Sequence, residues 1–80
     1  MNNLRSEIVN LMVEAGELPD NIRLDTTFKE LEIESVTFIS IVVEIEDHFE
    51  IEFDDENMLI SKYKTVEDFV NYVENIINNN

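Results

Sequence analysis

No cysteine occurs in this sequence of 80 residues, and glycine, proline and histidine occur once each. The missing thiols exclude disulfides and thiolate metal sites. A chain this close to the lower size limit for independent folding must then rely on tight packing of a few elements. With a single glycine there is no Gly-rich phosphate loop. Although 44% of the residues are hydrophobic, no segment of even ten uninterrupted apolar residues exists, which excludes a helix long enough to span a membrane. The initial Met-Asn-Asn-Leu-Arg-Ser-Glu lacks the basic and apolar regions of a signal peptide. The expectation is one small soluble domain over residues 1–80, located in the cytoplasm.

Positive charge is scarce as well. Nineteen acids stand against five Lys and Arg, a formal charge of −14 at pH 7, and Glu32 to Ser61 holds ten acids with no Lys or Arg. Such a field repels phosphate backbones and anionic lipid, so nucleic acid is excluded as a partner. It attracts basic protein patches at a rate that falls with salt, whereas solubility alone is the other reading of the same acidity.

What is present is helical periodicity. Leu4, Ile8, Leu11, Met12 and Ala15 recur at three- and four-residue steps, predicting a helix over about residues 3–15. Gly16 fits the left-handed residue that commonly ends a helix, and Pro19 opposes continuation. Residues 16–34 then read as a long connection, pinned to the core by Ile22, Leu24, Phe28, Leu31 and Ile33. Connections of that length in small domains are more often functional than not.

Ser35 fits the cap of a second helix over about residues 35–50. At about 100° per residue, Phe38, Ile41, Val42, Ile45 and Phe49 form its core stripe. Val36, Ile39 and Val43 fall on the opposite side beside Ser40, Glu46 and Asp47. An apolar strip rimmed by acids reads as a contact surface, and packing of the strip against the long connection is the competing explanation. Ile51-Glu52-Phe53 alternates but is too short to be a strand without a partner, so it reads as loop. A short helix is expected near residues 55–61, favoured by the acids at its start. Thr65-Val-Glu-Asp68 resembles a capping box opening a last helix over about residues 65–77, with Val66, Phe69, Val70, Val73, Ile76 and Ile77 on its apolar face and a fraying Asn78-Asn79-Asn80 tail.

Catalysis by the chain alone is poorly supported. His48 lies thirteen residues beyond Ser35 on the same predicted helix. At a helical rise of about 1.5 Å per residue that is roughly 20 Å, too far for a nucleophile and its base. His48 reads as a solvated residue near a helix end. Asp54-Asp55-Glu56-Asn57 cannot be a calcium loop, because Met58 and Leu59 stand where that loop needs an oxygen ligand and glycine. What remains is Ser35, a hydroxyl at a helix N-terminus, where free N–H groups and the helix dipole favour phosphate; taken alone, such a serine is an ordinary cap.

The stretch Asp25-Thr-Thr-Phe-Lys-Glu-Leu-Glu-Ile-Glu-Ser-Val36 resembles the segment of acyl carrier proteins in which Phe-x-Glu-Leu leads into Asp-Ser-Leu at the start of the second helix. Phe28, Glu30, Leu31 and Ser35 keep that spacing. Glu44 to Ile51 is similar to the family's acidic helix end, and Thr65-Val66 to the start of its last helix. The resemblance implies an all-α, acyl-carrier-like four-helix bundle, with three main helices and one short one packed up-and-down after a long first loop. It also implies that Ser35 carries a 4′-phosphopantetheine arm transferred from coenzyme A by a phosphopantetheinyl transferase. Acyl groups of fatty acid, polyketide or related biosynthesis would ride on the arm's thiol, and the chain itself, a monomer, would catalyse nothing. Partner enzymes with basic docking patches would contact Val36, Ile39 and Val43 together with Glu34, Glu46 and Asp47. No metal site is implied in the chain.

The sequence departs from the pattern at Glu34, where Asp is usual, at Glu32-Ile33, where Gly-x is usual, and at Val36, where Leu is usual. Glu34 keeps the charge but moves it by one methylene, a change that would weaken metal-assisted modification by a generic transferase. Thr37 and Ser40 stand where fatty-acid carriers often have acids, which points to a dedicated partner set. The alternative of a different class is an acidic helical adaptor of the same fold that binds a basic protein without a prosthetic group.

Overall fold

A computed structural model describes residues 3–79. The first helix, α1, spans Leu4–Gly16, and the Asn3 side chain caps it by accepting the Arg5 N–H at 2.9 Å. Its apolar face is the predicted one, with Ile8, Leu11 and Met12 buried and Leu4 and Ala15 packed at the edge of the core.

The expected left-handed role of Gly16 is corrected. Gly16 is the last helical residue, and Glu17 takes the left-handed conformation at φ 51°. The glycine is needed for a close approach instead, since a Cβ there would stand 2.9 Å from Ile41 Cδ1 and 3.1 Å from Leu18 Cγ. With its one glycine committed to packing, the chain closes its next two helices on left-handed glutamates as well, at Glu32 and Glu50. Each sits in a conformation that costs a residue with a Cβ roughly 1–2 kcal/mol.

The long connection holds a one-turn helix, α2, at Phe28–Leu31, which the periodicity did not reveal. Its signal is Thr27-x-x-Glu30, a capping box. The Thr27 hydroxyl accepts the Glu30 N–H at 3.0 Å and the Glu30 carboxylate accepts the Thr27 N–H at 2.9 Å. The Thr27 N–H first, and second its hydroxyl, which donates to Glu30 Oε1 at 3.0 Å, stabilise the charged form and hold the Glu30 carboxyl below its ordinary range. Phe28 is buried and Ile22, Leu31 and Ile33 are partly so. Leu24, expected as a core anchor, is exposed. The backbone explains the difference, because here the connection anchors through its carbonyls. Thr26 O and Leu24 O accept the Val66 and Glu67 N–H groups at 2.9 Å each, and Lys64 O accepts the Phe28 N–H at 3.0 Å, around an antiparallel bridge between Thr27 and Thr65.

The central helix, α3, spans Ser35–Phe49. Phe38, Ile41, Val42 and Ile45 are buried as the stripe predicts, with Phe49 half-buried at its end. Ile51 and Phe53 are buried within a loop, as read from the sequence. The short helix expected near residues 55–61 is two 3-10 turns, Asp55–Met58 and Ile60–Lys62, broken at Leu59, whose ψ of 126° is extended. A segment this short cannot repay helix nucleation by itself. It is fixed by tertiary contacts instead: Tyr63 is buried and donates its hydroxyl to Asn57 O at 2.7 Å. Burial, and after it the neighbouring Tyr72, push this hydroxyl well above the usual phenol range.

The last helix, α4, spans Val66–Asn78 and opens on the predicted capping box. Asp68 N–H donates to Thr65 Oγ1 at 3.2 Å, and the Asp68 carboxylate accepts the N–H groups of Thr65 and Lys64 at 3.1 and 3.0 Å. Its apolar face is the predicted one, with Val66, Phe69, Val70 and Val73 buried and Ile76 and Ile77 partly so. Of the asparagine tail, Asn78 is helical and Asn79 Nδ2 donates to Asn75 O at 2.8 Å; Asn80 lies outside the described residues.

The helix α1 packs against both α3 and α4. Polar ties reinforce both contacts. Arg5 reaches Glu74 at 2.6 Å and Glu67 at 3.4 Å on α4, and His48 Nε2 lies 2.8 Å from Glu7 Oε2 between α3 and α1. The all-α bundle of three main helices with short extra turns is thus the fold formed. Among the described residues no helix is long and apolar enough to cross a membrane.

Candidate functional site at the start of the central helix

Among the described residues, three of the four α-helices begin on a side-chain cap, namely Asn3 for α1, Thr27 for α2 and Thr65 for α4. Each also has an acid in its first turn. The helix α3 has neither. Its cap position is Glu34, which makes no side-chain bond to the helix, and Ser35 is the first helical residue rather than the cap expected for it. A carboxylate carried on one more methylene than Asp is a poorer cap, since the preferred caps are short side chains. The first backbone bond closes from Phe38 N–H to Glu34 O at 2.9 Å. The first-turn N–H groups therefore keep their capacity for an anion, at the positive end of a 15-residue helix in a chain of charge −14. Ser35 and Glu34 are both exposed there.

The outward strip follows directly. Val36 is 72% exposed, Ile39 38% and Val43 52%, so none of the three is absorbed into the core or covered by the long connection. One turn further on, the strip meets acids. Val43, Glu46 and Asp47 line a hollow of about 410 Å³ together with Ile51, Glu52 and Phe53. The two acids differ in state. Asp47 is exposed, whereas Glu46 is half-buried and its Oε2 accepts the Phe53 N–H at 2.8 Å. Glu46 is therefore a structural acid as well as a rim acid, a role the sequence did not reveal because the bond crosses the end of the helix into an irregular loop. Glu52 joins the same hollow and Leu59 is 56% exposed between the two 3-10 turns; neither was singled out in the sequence.

His48 is paired with Glu7 across helices at the opposite end of α3 from Ser35, so the structure does not bring the histidine and the serine together. Ser40 Oγ donates to Val36 O at 3.2 Å, a local bond within α3. Ser35, Glu34, Val36, Ile39, Val43, Glu46 and Asp47 all lie on this one helix or at its cap. A phosphodiester fits the start of α3, because the serine is exposed and the first-turn donors have no side-chain competitor.

Fold and site together define a small all-α scaffold that presents one serine at the start of its central helix. The comparisons with known proteins agree. A family model described as "Phosphopantetheine attachment site" matches residues 6–73. The acyl carrier protein of Lactococcus lactis subsp. cremoris (strain MG1363) is 40% identical over 62 residues, 78% of this chain and 80% of that one. That of Kocuria rhizophila is 38% identical over 71 residues, 88% of this chain and 83% of its own. The crystal structure of an acyl carrier protein from Thermotoga maritima superposes with a TM-score of 0.78 at 30% identity, covering 95% of this chain and 93% of that one. The solution structure of the 3,7-dioxo-octyl actinorhodin acyl carrier protein from Streptomyces coelicolor, with a TM-score of 0.67 at 14% identity over 95% of this chain and 87% of that one, shares the fold. This chain belongs to the acyl carrier protein family. It is a carrier, its cofactor is phosphopantetheine, and its role implies interaction with biosynthetic enzymes.

Proposed function

We propose that Ser35 is the attachment point of the 4′-phosphopantetheine arm and that this chain, a single carrier domain over residues 1–80, is loaded by a phosphopantetheinyl transferase using coenzyme A. The observation that carries the reading is the state of α3. It alone among the four α-helices of the described residues starts without a side-chain cap or a first-turn acid, and its first residue is an exposed serine. When bound, the arm supplies the thiol that a cysteine-free chain lacks. The first-turn N–H groups of α3 would hold the phosphate oxygens, and the helix would fix where the arm leaves the surface.

The partner-binding surface in this reading is the outward face of α3. Val36, Ile39 and Val43 supply apolar contact area; Glu34 and Asp47, with Glu46 in part, supply the negative rim that steers basic patches on acyl-loading and acyl-processing enzymes. The chain acts as a monomer in the cytoplasm.

Incubation with coenzyme A and a broad-specificity transferase, followed by intact mass, tests the assignment. The expected result is a gain of one phosphopantetheine that Ser35→Ala abolishes. No gain with several transferases, or a gain that survives Ser35→Ala, overturns it. A salt-sensitive complex with a basic partner that forms equally well with Ser35→Ala, in protein that never gains mass, would establish the adaptor instead.

A further inference from the structure

One turn into the bundle from Ser35 stands Phe38, 1% exposed. Its ring centroid lies 5.9 Å from that of Phe28 on α2, 5.7 Å from Tyr63 after the 3-10 turns and 5.5 Å from Phe69 on α4. Phe69 in turn meets Phe28 at 6.2 Å and Tyr63 at 5.2 Å, which closes a cluster of four mutually touching rings. Phe53 at 5.7 Å from Phe69, and Tyr72 at 5.1 Å from Phe53, extend it. The four central rings come from four different elements and none is more than 8% exposed. The place where those elements converge on the Ser35 end of α3 is therefore filled with aromatic side chains. The 410 Å³ hollow beside Val43 and a second hollow of about 340 Å³ between α1 and the long connection, lined by Val9, Ile22 and Leu24 among others, are bordered by none of the four central rings.

Accepting Ser35 as the attachment point, we propose that this aromatic cluster closes the bundle to cargo, so that the acyl group travels outside the protein and the carrier suits short or polar acyl groups rather than long hydrocarbon chains. Phe38 is the specificity-determining residue. A protein interior is packed as densely as an organic crystal, so a hydrocarbon enters only where side chains give way. Flexible aliphatic side chains can do so by changing rotamer. A ring held by three others, edge-on to Phe28 and Phe69 and tilted against Tyr63, cannot leave without breaking several oriented contacts at once. A long chain left in water keeps its apolar surface exposed, a penalty that grows with each methylene; a short or oxygen-rich group has little apolar surface to hide.

The absence of cysteine provides a test that needs no transferase. Ser35→Cys protein is alkylated with butyl or dodecyl iodoacetamide, which forms a thioether and releases iodide. The aromatic proton resonances and the thermal midpoint are then compared between the two labelled proteins. With Phe38 present, both labels are expected to give the same Phe38, Tyr63 and Phe69 resonances and the same midpoint. With Phe38→Ala added, or Phe38→Leu should the alanine variant fail to fold, the dodecyl label is expected to shift the Tyr63 and Phe69 resonances and raise the midpoint relative to the butyl label. Shifted ring resonances and a raised midpoint for the dodecyl label with Phe38 intact would overturn the proposal. No difference between labels in either Phe38 variant would overturn the role given to Phe38. Because the label bypasses coenzyme A, a failed transferase reaction counts against the Ser35 reading alone.

Discussion

Glu46, an acid on the rim of the exposed strip of α3, holds the backbone N–H of Phe53 at 2.8 Å, seven residues further along the chain. That bond ties the end of α3 to the loop that buries Ile51 and Phe53. A charge that we propose meets a partner therefore also supports the fold, and the two roles can be separated. Glu46→Ala removes acceptor and charge together and is expected to cost about 1–2 kcal/mol in urea denaturation, the scale of a charge-assisted bond that is partly open to water. Glu46→Gln keeps an acceptor and is expected to cost less than about 1 kcal/mol. Both variants lose the same increment of salt-dependent partner affinity. Equal stability of Glu46→Ala and the parent would show that the bond is not retained in solution.

The uncapped start of α3 has a consequence for stability. Ser35→Ala is expected to lie within about 0.5 kcal/mol of the parent, as for an exposed site without structural bonds. Thr65→Ala, which removes a cap, is expected to cost about 1 kcal/mol. Denaturant midpoints of the two variants check this. A larger loss for Ser35→Ala than for Thr65→Ala would mean that the serine hydroxyl caps the helix after all.

Gly16 sets the distance between α1 and α3. Alanine favours a helix over glycine by up to about 1 kcal/mol, but here its Cβ would stand 2.9 Å from Ile41 Cδ1, on a side chain that is fully buried in the core. Overpacking of about 1–3 kcal/mol therefore wins, and Gly16→Ala destabilises. Ile41→Val removes the opposing methyl, so the double variant should be more stable than the sum of the single effects allows, a coupling that a double-mutant cycle of melting curves measures directly. Additive losses would show that the clash relaxes elsewhere.

The capping box of α4 gives the bundle an acid-sensitive joint. The N–H groups of Thr65 first and Lys64 second stabilise the Asp68 carboxylate and hold its pKa below the ordinary value of 3.8. The unfolded chain therefore takes up this proton before the folded one does. The contribution is fully present above about pH 4 and is lost as pH falls through the lower, folded pKa. Asp68→Asn is expected to lower stability at neutral pH and to flatten the acid limb of the stability curve. Thermal melts of both proteins from neutral pH down to the acid transition decide it, and parallel curves would rule out Asp68 as a contributor.

The helices of this chain were legible because their apolar residues repeat at the helical period, which is a local property. Ile8, Leu11 and Met12 on α1, Phe38, Ile41, Val42 and Ile45 on α3 and Val66, Phe69, Val70 and Val73 on α4 are buried as that period predicts. The Thr65 box was legible for the same reason, since its partners lie three residues apart. The Thr27 box had the same signature, and α2 went unseen because a single turn has no periodicity to detect. The exposed strip of Val36, Ile39 and Val43 was visible as a second face on one helix.

Sequence alone determined the charge, the absence of thiols, the three main helices and the serine at the start of the central one, because each depends on residue identity or on spacing within one segment. Only the tertiary structure decided the rest: that Gly16 serves the α1–α3 approach, that Leu24 and Thr26 lend their carbonyls to α4, that Glu46 holds Phe53, and that four distant aromatic rings meet behind Ser35. Those are contacts between segments far apart in the chain or across an irregular turn. They arise from how the helices close on one another, which no local spacing encodes.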